Sequence, residues 1–204
     1  SLVAELTQQG IAAELVETGN TLDQLDAVQA REIDFAIVSS VLELRRLYPD
    51  LREVTPLFEE ALHLLVKSEL AGAVQDGTLE GLRALRVDVG PTRSASALLT
   101  DEVLRFAKIR CTPAPSPTTC GREQFDLVPL HELAARGDRK AMPDAIFHLG
   151  SVPSKIALGL IQDHDYALVA LPFANAFRLG GMISDDTSDR TTDMIERRSM
   201  VESV

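Results

Sequence analysis

Three short apolar runs, each ending at a residue that stops a strand, constrain this chain more than any other feature. Phe35-Ala36-Ile37-Val38 lies between Asp34 and Ser39-Ser40, Asp144-Ala145-Ile146-Phe147-His148-Leu149 runs into Gly150, and Tyr166-Ala167-Leu168-Val169-Ala170-Leu171 stops at Pro172. Such runs predict strands buried on both faces, as in a sheet covered by helices, and parallel pairing follows. The intervening segments carry helical periodicity. Leu2, Val3, Leu6 and Gln9 share one helical face before Gly10, and Thr21 is placed to cap a helix with Leu22, Leu25, Val28 and Ile33 inward. Ala97 to Ile109 predicts an amphipathic helix with Leu98, Leu99, Val103, Phe106 and Ala107 inward, and Val152 to Ile161 a helix started by Ser151.

Shorter signals complete the alternation. Ala13 to Glu17, Val54 to Leu57, Leu62 to Val66 and Leu85 to Gly90 read as strands, with Arg86 and Asp88 on the polar side of the last. Phe125 to Val128 reads as a strand and Leu130 to Arg136 as a short helix. Leu70 to Asp76 turns small and polar, so a crossover is placed there. The pattern predicts an α/β fold in two consecutive units: a first lobe over 1–74, a second over 75–180, and a hydrophilic crossover or mobile segment over 181–204.

Composition narrows the function classes. The chain has 204 residues, with 20 Lys plus Arg against 31 Asp plus Glu and a formal net charge of −11, so a nucleic-acid partner meets repulsion from phosphate. Aromatic residues are 4% with no Trp, which also disfavours a base-stacking platform. No apolar run reaches the roughly 20 residues that span a bilayer. His63, His131, His148 and His164 lack metal-ligand spacing, and no G-x-S-x-G, P-loop or G-x-G-x-x-G occurs. No metal, cofactor or enzymatic turnover is therefore expected.

The strongest local candidate for chemistry is Pro91-Thr92-Arg93-Ser94, which follows a strand and opens a helix. Free N–H groups and the helix dipole suit an anion there, with hydroxyl donors and Arg93 as counter-charge; helix capping by Ser94 or Ser96 is the plainer alternative. Thr18-Gly19-Asn20-Thr21 repeats this logic in the first unit, where a turn and cap are equally expected. Ser39 lies at the end of a predicted strand, where it lines a crevice or merely terminates the strand. His148 and Gly150 close another, with a hydrogen-bonded structural histidine as the alternative. Cys111 and Cys120 flank a proline-rich loop; a disulfide closing it would contribute roughly 2 to 3 kcal/mol, against two independent thiols.

Taken together, the chain resembles the TAXI group of TRAP-transporter solute receptors, which are type II periplasmic binding proteins. The resembling stretches are Glu14-Leu15-Val16-Glu17-Thr18-Gly19-Asn20, Arg31-Glu32-Ile33-Asp34-Phe35-Ala36-Ile37-Val38, Leu79-Glu80-Gly81-Leu82, Arg86-Val87-Asp88-Val89-Gly90-Pro91-Thr92-Arg93-Ser94 and Asp144-Ala145-Ile146-Phe147. The resemblance implies two α/β lobes, the first incomplete because the family's opening strand, its glycine-rich loop and its carboxyl-terminal segment find no counterpart. It implies capture of a small organic anion, such as glutamate or a dicarboxylate, for delivery to a TRAP membrane permease. It also implies a periplasmic or extracytoplasmic setting, with membrane anchoring of a longer chain. By position, Thr18, Gly19, Asn20 and Ser39 would face the cleft from the first lobe. Pro91, Thr92, Arg93 and Ser94 would receive the anionic group from the second, with His148, Gly150 and Pro172 at the rim. The alternatives are the effector domain of a LysR-like transcription regulator, a membrane-anchored sensor, or an enzyme on the same fold, which would need an acid, base or nucleophile.

Overall fold

A computed structural model describes residues 2–39, 42–75, 78–113, 115, 119–123 and 142–171. Its centre is a six-stranded mixed sheet built from β1 (Glu60–Lys67), β2 (Arg86–Asp88), β3 (Cys111–Thr112), β4 (Cys120–Glu123), β5 (Ala145–Ser151) and β6 (Tyr166–Val169), in the order β3-β4-β2-β5-β1-β6. The pairs β3–β4, β4–β2 and β2–β5 are parallel, and α5 supplies the crossover that leads from β2 to the β3–β4 edge. β1 departs from that expectation. It runs antiparallel to both neighbours, with His63 opposite His148 and Leu65 opposite Leu168. All six of its inner residues, Ala61 to Val66, are buried, so β1 is the best-covered strand.

The helices are α1 (Leu2–Gln8), α2 (Thr21–Gln29), α3 (Leu42–Leu47), α4 (Ser68–Val74), α5 (Ala95–Phe106) and α6 (Lys155–His164), with a 3-10 turn at Glu80–Leu82. No described helix is long and apolar enough to cross a membrane. Side-chain alternation along β1 and β5 sorts the core into two layers. Leu62, Leu64, Phe147 and Leu149 face Leu99, Val103 and Leu104 of α5, and Leu22, Leu25 and Leu44 join this larger cluster. Leu65 and Ile146 point the other way and pack with Ala157 and Leu160 of α6 and with Tyr166.

Several expectations are corrected. Ala13 to Glu17, Phe35 to Val38 and Val54 to Leu57 are not strands, and no described strand pairs with them. Phe35 is 77% exposed and Leu15 74%: an apolar run folds into a sheet only where a neighbour supplies its backbone partners and covers its side chains. Leu70 lies within α4, because Ala71 and Val74 bury there despite the small residues around them. Asp88 is buried and not on a polar surface, its Oδ1 accepting from the Gly90 amide at 3.0 Å. Phe106, expected inward, is exposed, while Ala95 and Thr100 are buried on α5. The last helix begins after Ser154, not Ser151, because the Ser154 hydroxyl accepts from the Ala157 amide. The 125–128 strand, the 130–136 helix, His131, Ser40 and Pro172 lie outside the described residues.

Candidate functional site: two helix N-termini and an arginine

The carboxyl end of β2 feeds the Gly90–Ser94 loop into α5. Gly90 takes a φ of +83°, and a Cβ there would meet the Ser96 side chain at 3.1 Å, so the turn uses glycine both for conformation and for space. Ser94 caps α5, its hydroxyl accepting from the Ala97 amide at 3.1 Å. Ser96 donates to the Phe147 carbonyl at 3.3 Å and fixes the helix start against β5. The capping alternative for Ser94 is thus what the geometry contains, and a capped helix still directs its dipole along the same axis.

The first-unit loop meets this one. Asn20 caps α2 by accepting from the Asp23 amide at 3.0 Å, and its Nδ2 donates to Asp23 Oδ2 at 2.7 Å, a reciprocal lock on the first turn. The two helix starts are then tied to each other: the Leu22 amide donates to the Arg93 carbonyl at 3.2 Å and the Ala95 amide to Thr21 Oγ1 at 3.2 Å. Arg93 itself, at φ +66°, reaches Asp23 Oδ1 at 3.1 Å and Asp26 Oδ2 at 2.6 Å. Its guanidinium is held more firmly charged by the hydrogen bond to Asp23 and the neighbouring Asp26, although burial opposes this. Tyr48 donates to Asp26 Oδ1 at 2.6 Å; partial burial and then that carboxylate push its phenol up.

The structure therefore joins the start of α2 to Arg93 and Ala95; Thr18, Gly19 and Asn20 lead into one side of this junction, and Pro91, Thr92 and the capping Ser94 flank Arg93 on the other. Thr18 Oγ1 is buried without a hydrogen-bond partner among the described residues. Asp23, Asp26 and Tyr48 are members that the sequence did not point to; Thr21, expected as the cap, instead follows the capping Asn20 and takes the Ala95 hydrogen bond. Asp23 and Asp26 carried a usable signal, since i and i+3 on a helix share a face; Tyr48 carried none. Ser39 lies on the half-buried end of an extended segment.

His148 and Gly150 are not part of that junction. His148 alternates with Phe147 and so lies on the α6 face of the sheet. Its Nε2 hydrogen-bonds Ser154 Oγ at 3.1 Å, and it stacks on His63 with ring centroids 5.9 Å apart. His63 Nδ1–H donates to the His148 carbonyl at 3.2 Å. Burial, assisted by His63, pushes His148 down to about 4, so the ring is neutral at pH 7. A Cβ on Gly150 would lie 2.7 Å from His148 Nε2, so the glycine makes room for the ring. The described residues contain no group of three or more potential metal ligands.

No protein-family model and no curated protein sequence matches the chain. Solved structures do. An ancestral arginine-binding protein bound to arginine aligns with a TM-score of 0.52 at 18% identity, covering 96% of this chain and 84% of that one. The GluR0 ligand-binding core in complex with L-glutamate aligns at 0.53 and 13% identity, covering 96% and 86%. An amino acid ABC transporter substrate-binding protein from Streptococcus pneumoniae, bound to L-arginine, aligns at 0.51 and 15% identity, covering 98% and 82%. The fold is that of the two-lobed type II periplasmic binding proteins. In this fold the α2–α5 junction joins the first and second halves of the chain, and the disulfide between Cys111 and Cys120 lies at the far edge of the sheet, on β3 and β4.

Proposed function

We propose that the protein is an extracytoplasmic solute receptor that captures a small organic anion, an amino acid such as glutamate or a dicarboxylate, and passes it to a TRAP-type permease without turning it over. The observation that carries this reading is the convergence of two helix N-termini with Arg93 at the junction between the halves of the chain. Amides at a helix start and the positive end of its dipole favour negative charge, and a guanidinium adds a second, directional donor set. The loops carrying Thr18, Gly19, Asn20 and Ser39 would supply the first-lobe wall, and Pro91 to Ser94 the second. The placement of His148 and Gly150 on the opposite sheet face favours a structural role for both, outside the ligand shell.

The assignment to the TAXI group and to a TRAP permease rests on the sequence resemblance and is part of the proposal. The Cys111–Cys120 bridge supports an oxidising compartment and weighs against the effector domain of a cytosolic regulator. Titration calorimetry with glutamate, arginine and succinate tests the reading. Saturable binding of one of them, with unchanged ligand recovered afterwards, is expected; conversion of the ligand, or no heat with any of the three, overturns it.

A further inference from the structure

The donors that make the junction attractive to an anion are already engaged by the protein itself. The Leu22 amide in the first turn of α2 bonds the Arg93 carbonyl, and the first amide of α5 bonds Thr21 Oγ1. The Arg93 guanidinium bridges Asp23 and Asp26, one helical turn apart on α2, and Asp26 is in turn held by Tyr48 from beyond α3. Arg93 adopts this position with a positive φ, a conformation that costs a non-glycine residue free energy and persists only where its surroundings fix it. Strain, two ion pairs and one backbone hydrogen bond thus meet at Arg93, and the Ala95–Thr21 bond lies beside them in the same contact between two elements far apart in sequence.

From this we infer that Arg93 is a latch: its ion pairs with Asp23 and Asp26 hold the first turn of α2 against the β2–α5 loop, and the Leu22 and Ala95 amides, bonded across that same contact, become available to a ligand only when the contact parts. All three charged side chains are about half exposed, so the latch is weak enough to open on binding and is sensitive to salt. Negative charge arriving at the junction competes for Arg93, and the acidic pair then repels that charge unless the incoming molecule also carries a cation. The latch therefore favours a zwitterion over a plain dicarboxylate.

The latch stands apart from the receptor reading because it is measured without any ligand. The readout is hydrogen exchange by NMR at the Leu22 and Ala95 amides, with Leu64 and Leu65 of β1 as internal reference, in wild type, Arg93→Gln, Asp26→Asn and the double variant. Each single substitution is expected to speed exchange at Leu22 and Ala95 by roughly two- to fivefold, the size of an exposed ion pair, with little further gain in the double variant. Raising salt from about 50 to about 500 mM should accelerate the same two amides in wild type. Unchanged exchange in the variants overturns the latch, as does a double variant equal to the product of the singles. Equal acceleration at Leu64 and Leu65 also overturns it, because the effect would then be global unfolding. Calorimetry on the same proteins separates the two claims: failure of ligand binding with the exchange pattern intact removes the receptor reading and leaves the latch.

Discussion

His148 shows how one side chain sets a pH limit on the whole fold. Its value is about 4 in the folded protein against roughly 6.5 in an unfolded chain, so between those limits the unfolded state binds the extra proton. Stability is full above about pH 6.5 and falls as the pH drops toward 4, by on the order of 3 kcal/mol. Urea unfolding at neutral and acid pH should show this loss in wild type and only a small part of it in His148→Gln. Asp144 extends the decline. Burial raises its carboxyl, but the Arg86 amide at 3.0 Å and the Lys67 ammonium at 2.9 Å outweigh that and hold it below its usual value. Its contribution is present above the unfolded carboxylate range, near 4, and is lost as the pH falls through the folded value. The two serine caps offer a paired comparison. Ser94→Ala removes an N-cap and should cost about 1 kcal/mol in denaturant unfolding, whereas Ser154→Ala also strips His148 of a partner and should cost more.

Among the elements, the edge strand β3 depends most on a covalent link. It spans only Cys111 and Thr112, and its register sets Cys111 directly against Cys120 with Cα atoms 4.4 Å apart. Reduction, or a Cys111→Ser and Cys120→Ser pair, should lower stability by roughly 2 to 3 kcal/mol, read as a shift in the urea midpoint. The loop between the cysteines had been legible as a closed excursion, although the strands at its ends had not, since Cys111-Thr112 and Cys120-Gly121 show no run of strand-forming residues. β5 and β6 were legible because their apolar runs meet partners that cover them. Phe35 to Val38 had an equally strong pattern and formed no strand. Periodicity records what a segment could bury, and whether it does so depends on a neighbour that its own residues do not encode. α4 failed in the opposite sense: Gly72 and the alanines look like a linker, and packing of Ala71 and Val74 overrides that propensity. At the junction, the caps and Arg93 were legible, but the pairing of Arg93 with Asp23 and Asp26 joins residues about seventy apart and left no local trace.

At the scale of the molecule, two layers of apolar side chains on either face of one sheet define the fold, and the α2–α5 contact ties the early part of the chain to it. The best-covered strand of that sheet is β1, between β5 and the edge strand β6, and its position has a consequence for synthesis. Both of its neighbours come late: His63 pairs with His148 and Lys67 with Tyr166. A nascent chain must therefore keep Leu62, Leu64, Leu65 and Val66 without either partner strand while the ribosome adds some eighty further residues, on the order of 4 to 16 s at ordinary elongation rates. A fragment ending at residue 140 should accordingly sediment or remain chaperone-bound, whereas one ending at residue 171 should be soluble and resist protease across β1. Were the chain to cross a membrane, as the proposed function has it, it would do so most readily unfolded, with a holdase screening that one strand until the last residues of the sheet have followed.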